Sequence, residues 1–577
     1  MTVDLKSGSL YALLKRRGFI YPSFDIYGGV SGFYDYGPRG AALLRRLQEE
    51  WRKFFVVQEG FYEVETAEIT PEEVFRASGH LDRFNDYLTR CTSCGASYRA
   101  DNLIEELTGK EVRVEPAALN SELKKIRCPR CGGELADVEE FNLMFSTAVG
   151  PGGGKKSYLR PETAQGIFVN FPHLLREARG KLPFGVAQIG RGFRNEISPR
   201  QGLIRMREFH MAEGEFFFNP SAGRYPPFNG VQGEVLRLLP AGGEEAVLRT
   251  GEAVERGIIR SEYLAYFMVI SKRFLEHIGL DGGRIRFRQH RKDEMAHYAR
   301  DCWDGEVLTS LGWIEVVGIA DRSAYDLSRH QDASGAKMEV LIPYDEPRRV
   351  RVRRLRPRMD VLGPLFRGKA KAVSQAMEAL EVPEDFSGGD VILEVSGERL
   401  KVPEEAYEIQ EVEEVVTGER IIPNVIEPSF GLDRIFAALL EHSVDVKEKE
   451  GEEYRVMHLP PWVAPLPVAV FPLLTRGGMV DIALQIAREL REGGIEVFYD
   501  EAGSIGRRYA RADEIGIPLA VTVDHRTAED GTVTLRERDS TSQVRLPMKE
   551  LEGVVGDYTR GCINWKDIKK RYPPQGG

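Results

Sequence analysis

Residues 188–218, QIGRGFRNEISPRQGLIRMREFHMAEGEFFF, concentrate the groups best suited to handling a polyanion. Arg194 and Glu196 stand two residues apart, so a strand points both at one face. ISPRQGL, with Ser, Pro and Gly, favours a turn. The return arm then carries Arg205, Arg207, Glu208, Glu213 and Glu215, interleaved with Ile204, Met206, Phe209 and Met211. So many charges on a sheet face are costly to desolvate unless a multiply charged ligand lies against them. A solvated hairpin with cross-strand ion pairs is the plain alternative.

Other stretches hold further chemistry. Cys91-Thr-Ser-Cys94 and Cys128-Pro-Arg-Cys131 are two knuckles of two thiolates each. Together they satisfy tetrahedral zinc and leave no open position, so the metal is expected to be structural. GPGGGKKS misses the phosphate-loop pattern, because Lys156 stands where Ser or Thr is required. RPETAQG (160–166) puts Glu162 in an exposed loop ahead of a helix. WIEVVGIA sets Glu315 in an apolar run, where a carboxylate needs a cation or several donors. In IIPNVIEPSFGLDRIFAALL, a strand meets a helix at Gly431, which allows close backbone approach, and Arg434 sits in the first turns of that helix.

The elements that must position these groups follow from pattern. GPRGAALLRRLQEEWRKFFV (37–56) reads as an amphipathic helix with Pro38 in its first turn. After residue 461 strand and helix patterns alternate, which predicts a small parallel-sheet α/β domain. Its tail, NWKDIKKRYPPQGG, is expected to be partly ordered at best. The 577 residues suffice for two to four domains. A run of about 18 apolar residues is absent, which argues against a membrane span. The N-terminus lacks a secretory apolar core, and the cysteine usage fits a reducing compartment, so a cytoplasmic location is expected. A net charge of −10 gives no global sign of nucleic-acid binding, although PRRVRVRRLRPR (347–358) is a basic cluster that could meet phosphates.

GFRNE, a loop and RMREF together resemble motif 2 of the class II aminoacyl-tRNA synthetases. RNEISPRQGLIRMREF closing on MAEGEFF is similar to the glycyl version. YGPRGAAL with its helix resembles motif 1, which implies a homodimer, and EPSFGLDR resembles motif 3. The resemblance implies an α+β catalytic domain with an antiparallel sheet, zinc-bearing and β-rich insertions, and a C-terminal α/β anticodon-binding domain. The expected division is 1–87 catalytic with motif 1, 88–140 zinc-binding insertion, 141–330 catalytic with motif 2, 331–420 inserted β-rich module, 421–460 catalytic with motif 3, and 461–577 anticodon-binding domain and tail.

The implied activity is activation of glycine by ATP, followed by transfer to tRNA(Gly), with Mg2+ accompanying the ATP. By resemblance, Arg194 holds the α-phosphate, Glu196 accepts from the adenine amino group, and Phe209 stacks on the base. Arg205 meets the β- and γ-phosphates, and Arg434 covers the base or the γ-phosphate. Asn195, Ile204, Met206, Glu315, Val316 and Gly431 complete the nucleotide site, and Arg99, Glu162, Glu213, Glu427 and Ser429 the glycine site. A carboxylate is already nucleophilic at neutral pH, so no Ser–His pair is required. EPSFG and RPETAQG favour glycine over related amino acids. Intact motif 2 and 3 charges disfavour a non-enzymatic accessory subunit.

Overall fold

A computed structural model describes residues 3–572 except Glu111, Arg200, Asp293, Ala296, His297, Glu381, Glu384, Asp385, Ser396, Glu450 and Gly451. The final PPQGG of the tail lies outside the described residues. Chain contacts divide into two units, 1–338 with 423–577, and 339–422.

The first unit is built on a nine-stranded sheet. In chain order its strands are β1 (Tyr62–Glu63), β2 (Phe184–Phe193), β3 (Glu208–Phe218), β4 (Val235–Leu239), β5 (Ala246–Arg249), β6 (Ile285–Gln289), β7 (Asp301–Thr309), β8 (Gly312–Ser323) and β9 (Asn424–Gly431). Their spatial order is β5-β4-β6-β7-β8-β9-β3-β2-β1. All neighbours run antiparallel except β2 with β1 and β4 with β6. Alternation along β3 and β9 explains the two faces. Ala212, Phe216, Ile426 and Phe430 point into the core, and Met211, Glu213, Glu215, Glu427 and Ser429 occupy the opposite face.

Three helices cover the apolar face. α1 (Pro38–Arg52) starts with proline at its first position and buries Leu43, Leu47 and Trp51, as its spacing predicts. α2 (Glu262–His277) is apolar nearly all round and fully engaged, and Ser261 caps it by accepting from the Leu264 amide. Phe274 of α2 meets Phe430 of β9 edge to face at 5.4 Å between ring centroids. α3 (Leu432–Ser443) follows β9 directly.

The sheet of the C-terminal region is mixed rather than parallel. Val497–Tyr499, Val468–Pro472 and Leu519–Val523 are parallel, whereas Thr532–Glu537 and Gln543–Pro547 add an antiparallel hairpin. The tail, expected to be partly ordered at best, forms a helix, Trp565–Arg571. Asn564 and Asp567 make a reciprocal capping box, and Trp565, Ile568 and Tyr572 bury against the sheet. Three apolar residues in eight sufficed to dock it.

The 339–422 unit, read as β-rich, also carries helices Met359–Phe366 and Ala370–Ala379. Its core is Leu355, Leu362, Val373, Met377 and Val402. The basic cluster forms a long ribbon, Val340–Pro357 against Tyr407–Ile421, in which Arg351 faces Glu413, Arg353 faces Glu411 and Arg356 faces Glu408. These three arginines are therefore charge-matched across the ribbon. Among the described residues, no helix is long and apolar enough to cross a membrane.

Candidate active site

The polar face of β3, β8 and β9 carries two adjoining sites. The first is a cleft lined by Arg194, Glu196, Ile204, Arg205, Met206, Phe209, Glu315, Val316, Ser429, Gly431 and Arg434, among others. β2 ends at Phe193, so Arg194 and Glu196 lie just past the strand rather than on its face. The Arg194 guanidinium is stacked between Phe84 and Phe209, 5.3 Å from each ring centroid, and its Nε donates to the Pro161 carbonyl at 3.2 Å. Phe209 can lie flat here because Gly192 opposes it. A Cβ on Gly192 would come within 2.7 Å of that ring. Asn195 donates its amide to the Leu143 carbonyl, which fixes the chain between Arg194 and Glu196. Arg205 Nε stands 3.9 Å from Glu196.

On the far wall Arg434 donates to Glu315 Oε2 at 2.8 Å and to the Ile204 carbonyl at 3.0 Å. Glu315 points out of the apolar run, with 48% of its side chain exposed, so it is not the enclosed carboxylate the sequence suggests, although Arg434 pairs with it. Desolvation would raise the Glu315 pKa, but Arg434 outweighs it and holds the carboxyl below its usual range. Gly431 has φ −84°, open to any residue, so its backbone needs no special freedom. Asp433 accepts from the amide and ring of His210 and from the Tyr36 hydroxyl, tying the start of α3 to β3.

The second site lies deeper and is built from carboxylates. Glu213 Oε2 accepts from the Thr163 amide at 2.7 Å and from its hydroxyl, and Oε1 accepts from Ser429 Oγ at 2.6 Å. Arg322, with 0% exposure, is the hub. It donates to both oxygens of Glu427 (2.9 and 3.0 Å) and to both of Asp326 (2.8 and 3.0 Å), and stands 3.6 Å from Glu162. Tyr298 and Phe168 flank its guanidinium at 3.8 and 5.1 Å. Gln165 bridges Glu162 and Asp326 at 3.0 and 2.9 Å.

Carboxylates outnumber cations in this pocket, and their titration reflects it. Burial would raise the Glu162 pKa, yet His80 and Arg322 hold that carboxyl well below the usual range. Burial pushes Glu427 up to about 8 despite Arg322, with Glu213 and Glu162 adding to the rise. Glu215, with 0% exposure, has no hydrogen-bond partner on either oxygen among the described residues. Burial, reinforced by Glu427, drives its pKa well above normal. A cationic group entering here meets an excess of acceptors.

Arg99 does not line either site. It pairs with Asp86 (3.0 Å) and Asp101 (2.9 Å) and lines an adjoining hollow with Tyr98, Gln201 and Arg205. The sequence reading missed Arg322, Asp326, Gln165, His80 and Asp433. Arg322 and Asp326 were present in ADRSAYDL, four residues apart, a spacing that can place two side chains together at a strand–helix junction.

The four cysteines converge. Their sulfurs lie within 4.8 Å of one another, Cys91–Cys131 at 3.4 Å and Cys94–Cys128 at 3.8 Å. Four sulfurs bound to one zinc lie about 3.8 Å apart, so the cluster fits that ion. The Tyr98 hydroxyl lies 3.2 Å from Cys128 Sγ and lowers that thiol's pKa, while its neighbours Cys91 and Cys94 raise that of Cys131. Helices Ala100–Thr108 and Pro116–Leu123 pack Leu103, Ile104, Leu119 and Leu123 beneath it.

The family model "tRNA synthetase class II core domain (G, H, P, S and T)" matches residues 151–229, and "Anticodon binding domain" matches 467–557. The chain is 52% identical to a glycine–tRNA ligase of Archaeoglobus fulgidus over 550 residues, covering 95% of this chain and 96% of that one. It is 51% identical to the Methanothermobacter thermautotrophicus ligase over 93% and 96%, and 49% identical to that of Methanothrix thermoacetophila over 96% of each. On this near-complete match, and on the two adjoining sites that the sheet assembles, the chain belongs to the glycine–tRNA ligase family of class II synthetases.

Proposed function

We propose that the chain activates glycine with ATP and transfers it to tRNA(Gly). The glycine carboxylate attacks the α-phosphorus, and pyrophosphate leaves. The terminal 3′-hydroxyl of the tRNA then takes the acyl group from the adenylate and releases AMP. The observation that carries this reading is the pocket of excess carboxylates beside an arginine-lined cleft, a place for an ammonium group next to a place for phosphates.

Arg194, locked between two rings, neutralises the α-phosphate as charge develops. Phe209 and Arg434 flank the base, Glu196 accepts from its amino group, and Arg205 meets the outer phosphates. Such positioning and charge neutralisation suffice for this class of transfer. Glu162, Glu213 and Glu427 receive the glycine ammonium. Ser429, held to Glu213, narrows the space at the α-carbon, so selectivity comes from exclusion of a methyl group.

Magnesium accompanies ATP in this reading. Glu315 and Asp304, which Arg288 and His290 also engage, offer hard carboxylate oxygens, and the Glu315 charge raises the Asp304 pKa. They would hold the ion together with phosphate oxygens, where it supplies charge neutralisation. The four cysteines hold structural zinc, and thiols kept for a metal suit a reducing cytoplasm. The exposed Phe24, Ile26, Tyr27 and Val30, close to the motif 1 helix, form an apolar patch suited to a second copy of the chain. The catalytic, zinc-binding, inserted and anticodon-binding boundaries are those of the sequence reading, with the insertion moved to 339–422.

Charging of unfractionated tRNA tests this directly. Zinc-replete protein with ATP is expected to esterify tRNA with glycine and not with alanine. Charging with alanine, or with neither, overturns the assignment.

A further inference from the structure

The segment Glu72–Arg83 contains a buried arrangement that the mechanism above does not use. Helix Glu72–Ser78 ends at Gly79, whose φ of +86° reverses the chain, and His80 opens the next turn pointing inward. His80 is 4% exposed, wedged between Phe75 and Phe84 with ring centroids 5.7 Å from each. Its Nδ1 lies 2.8 Å from Ser78 Oγ, and its Nε2 lies 3.4 Å from Glu162 Oε2. Ser78 is itself 1% exposed, too enclosed to act as a nucleophile, so the Ser–His–Glu arrangement is not a hydrolytic triad.

We propose that His80 is a positioning residue for glycine recognition: held at Nδ1 by Ser78, it presents Nε2–H to Glu162 and fixes that carboxylate where the substrate ammonium must meet it. The inference rests on the glycine-activating reading above and extends it.

The serine makes the arrangement robust. A hydroxyl can donate to Nδ1 of a neutral imidazole, which leaves the proton on Nε2. It can also accept from Nδ1–H of an imidazolium while donating to the Phe75 carbonyl 3.4 Å away. In both states Nε2 keeps its hydrogen toward Glu162. The other oxygen, Oε1, is held by Gln165 at 3.0 Å. With Oε2 facing His80 and Oε1 held by Gln165, the Glu162 carboxylate is fixed in place beside Arg322. Phe84, on the other side of His80, also stacks under Arg194. One short segment therefore sets both the ammonium acceptor and the phosphate-binding arginine.

Two substitutions of similar polarity separate this role from simple packing. In His80→Gln the side-chain amide can reach the position of Nε2 and donate to Glu162. In His80→Asn the amide can still meet Ser78 but ends short of Glu162. Glycine-dependent ATP–pyrophosphate exchange is measured for both with zinc-replete full-length protein, varying glycine and ATP separately. Loss of a hydrogen bond to a charged group is expected to raise KM for glycine about thirtyfold in His80→Asn. His80→Gln should stay within about threefold of the parent, and KM for ATP should not move in either. Equal effects of the two substitutions, an unchanged KM for glycine in His80→Asn, or a parallel rise in KM for ATP overturns the proposal. Absence of glycine-dependent exchange in the unsubstituted protein would instead overturn the functional reading on which it rests.

Discussion

Replacing Glu215 by glutamine should stabilise the protein increasingly as pH rises. Glu215 lies fully buried on β3 without a hydrogen bond to either oxygen, and burial drives its pKa well above the ordinary range. The folded chain therefore keeps a proton that the unfolded chain gives up near pH ~4.3. Between those two pKa values the native state binds one more proton than the unfolded state. Stability is full below the unfolded value and falls by about 1.4 kcal/mol per pH unit above it. Glu215→Gln removes this slope, while the similar dependence from Glu427 is common to both proteins. At about 2 °C per kcal/mol for a large domain, the Tm of Glu215→Gln relative to the parent should rise by about 3 °C per pH unit. An unpaired amide costs about 1–3 kcal/mol whatever the pH, so the offset can have either sign and only the slope is diagnostic. Thermal melts at pH 6, 7 and 8, without glycine or ATP, measure it. A gap that is constant or narrows with pH would refute the reasoning, because Glu215 would then be ionised in the fold.

Arg322→Met should cost about 3–5 kcal/mol in thermal or denaturant melts, because Asp326 and Glu427 lose the buried guanidinium that donates to both of them. Arg194→Ala should reduce kcat for exchange about a hundredfold, with far-ultraviolet dichroism unchanged. KM for glycine should fall as pH rises from 6.5 toward 8, because the ammonium prefers ionised Glu427, whose pKa is pushed up to about 8 by burial. A pH-independent KM would contradict that. Chelation of the four-cysteine cluster should unfold the 88–140 insertion, seen as new protease cleavage there, and added zinc should reverse it.

The groups that speak to phosphate were legible in the sequence because they sit in contiguous strings. RNE and RMREF lie near one another along the chain, and β2 and β3 pair directly, so Arg194, Arg205 and Phe209 arrive in one cleft. The cysteine cluster was legible for the same reason. The deeper carboxylate pocket was only half legible. Glu162, Glu213, Glu427 and Ser429 were found, but the cation that organises them was not, since Arg322 reaches Glu427 from a neighbouring strand and across a long insertion. His80 gives no periodic signal, and its role depends on a left-handed glycine and on a partner far along the chain. Arg99 rests on the resemblance alone, and nothing in YRADNL shows that Asp86 and Asp101 pair with its guanidinium. The C-terminal tail was judged as a chain terminus, whereas three apolar side chains and a capping box decide its fold.

Amino-acid-dependent ATP–pyrophosphate exchange without tRNA tests the central claim most directly, with glycine, alanine, serine, histidine, proline and threonine assayed in parallel on zinc-replete protein. The account predicts exchange with glycine alone, since the carboxylates around Ser429 admit an ammonium and no side chain. Exchange with alanine or serine at comparable efficiency would contradict it.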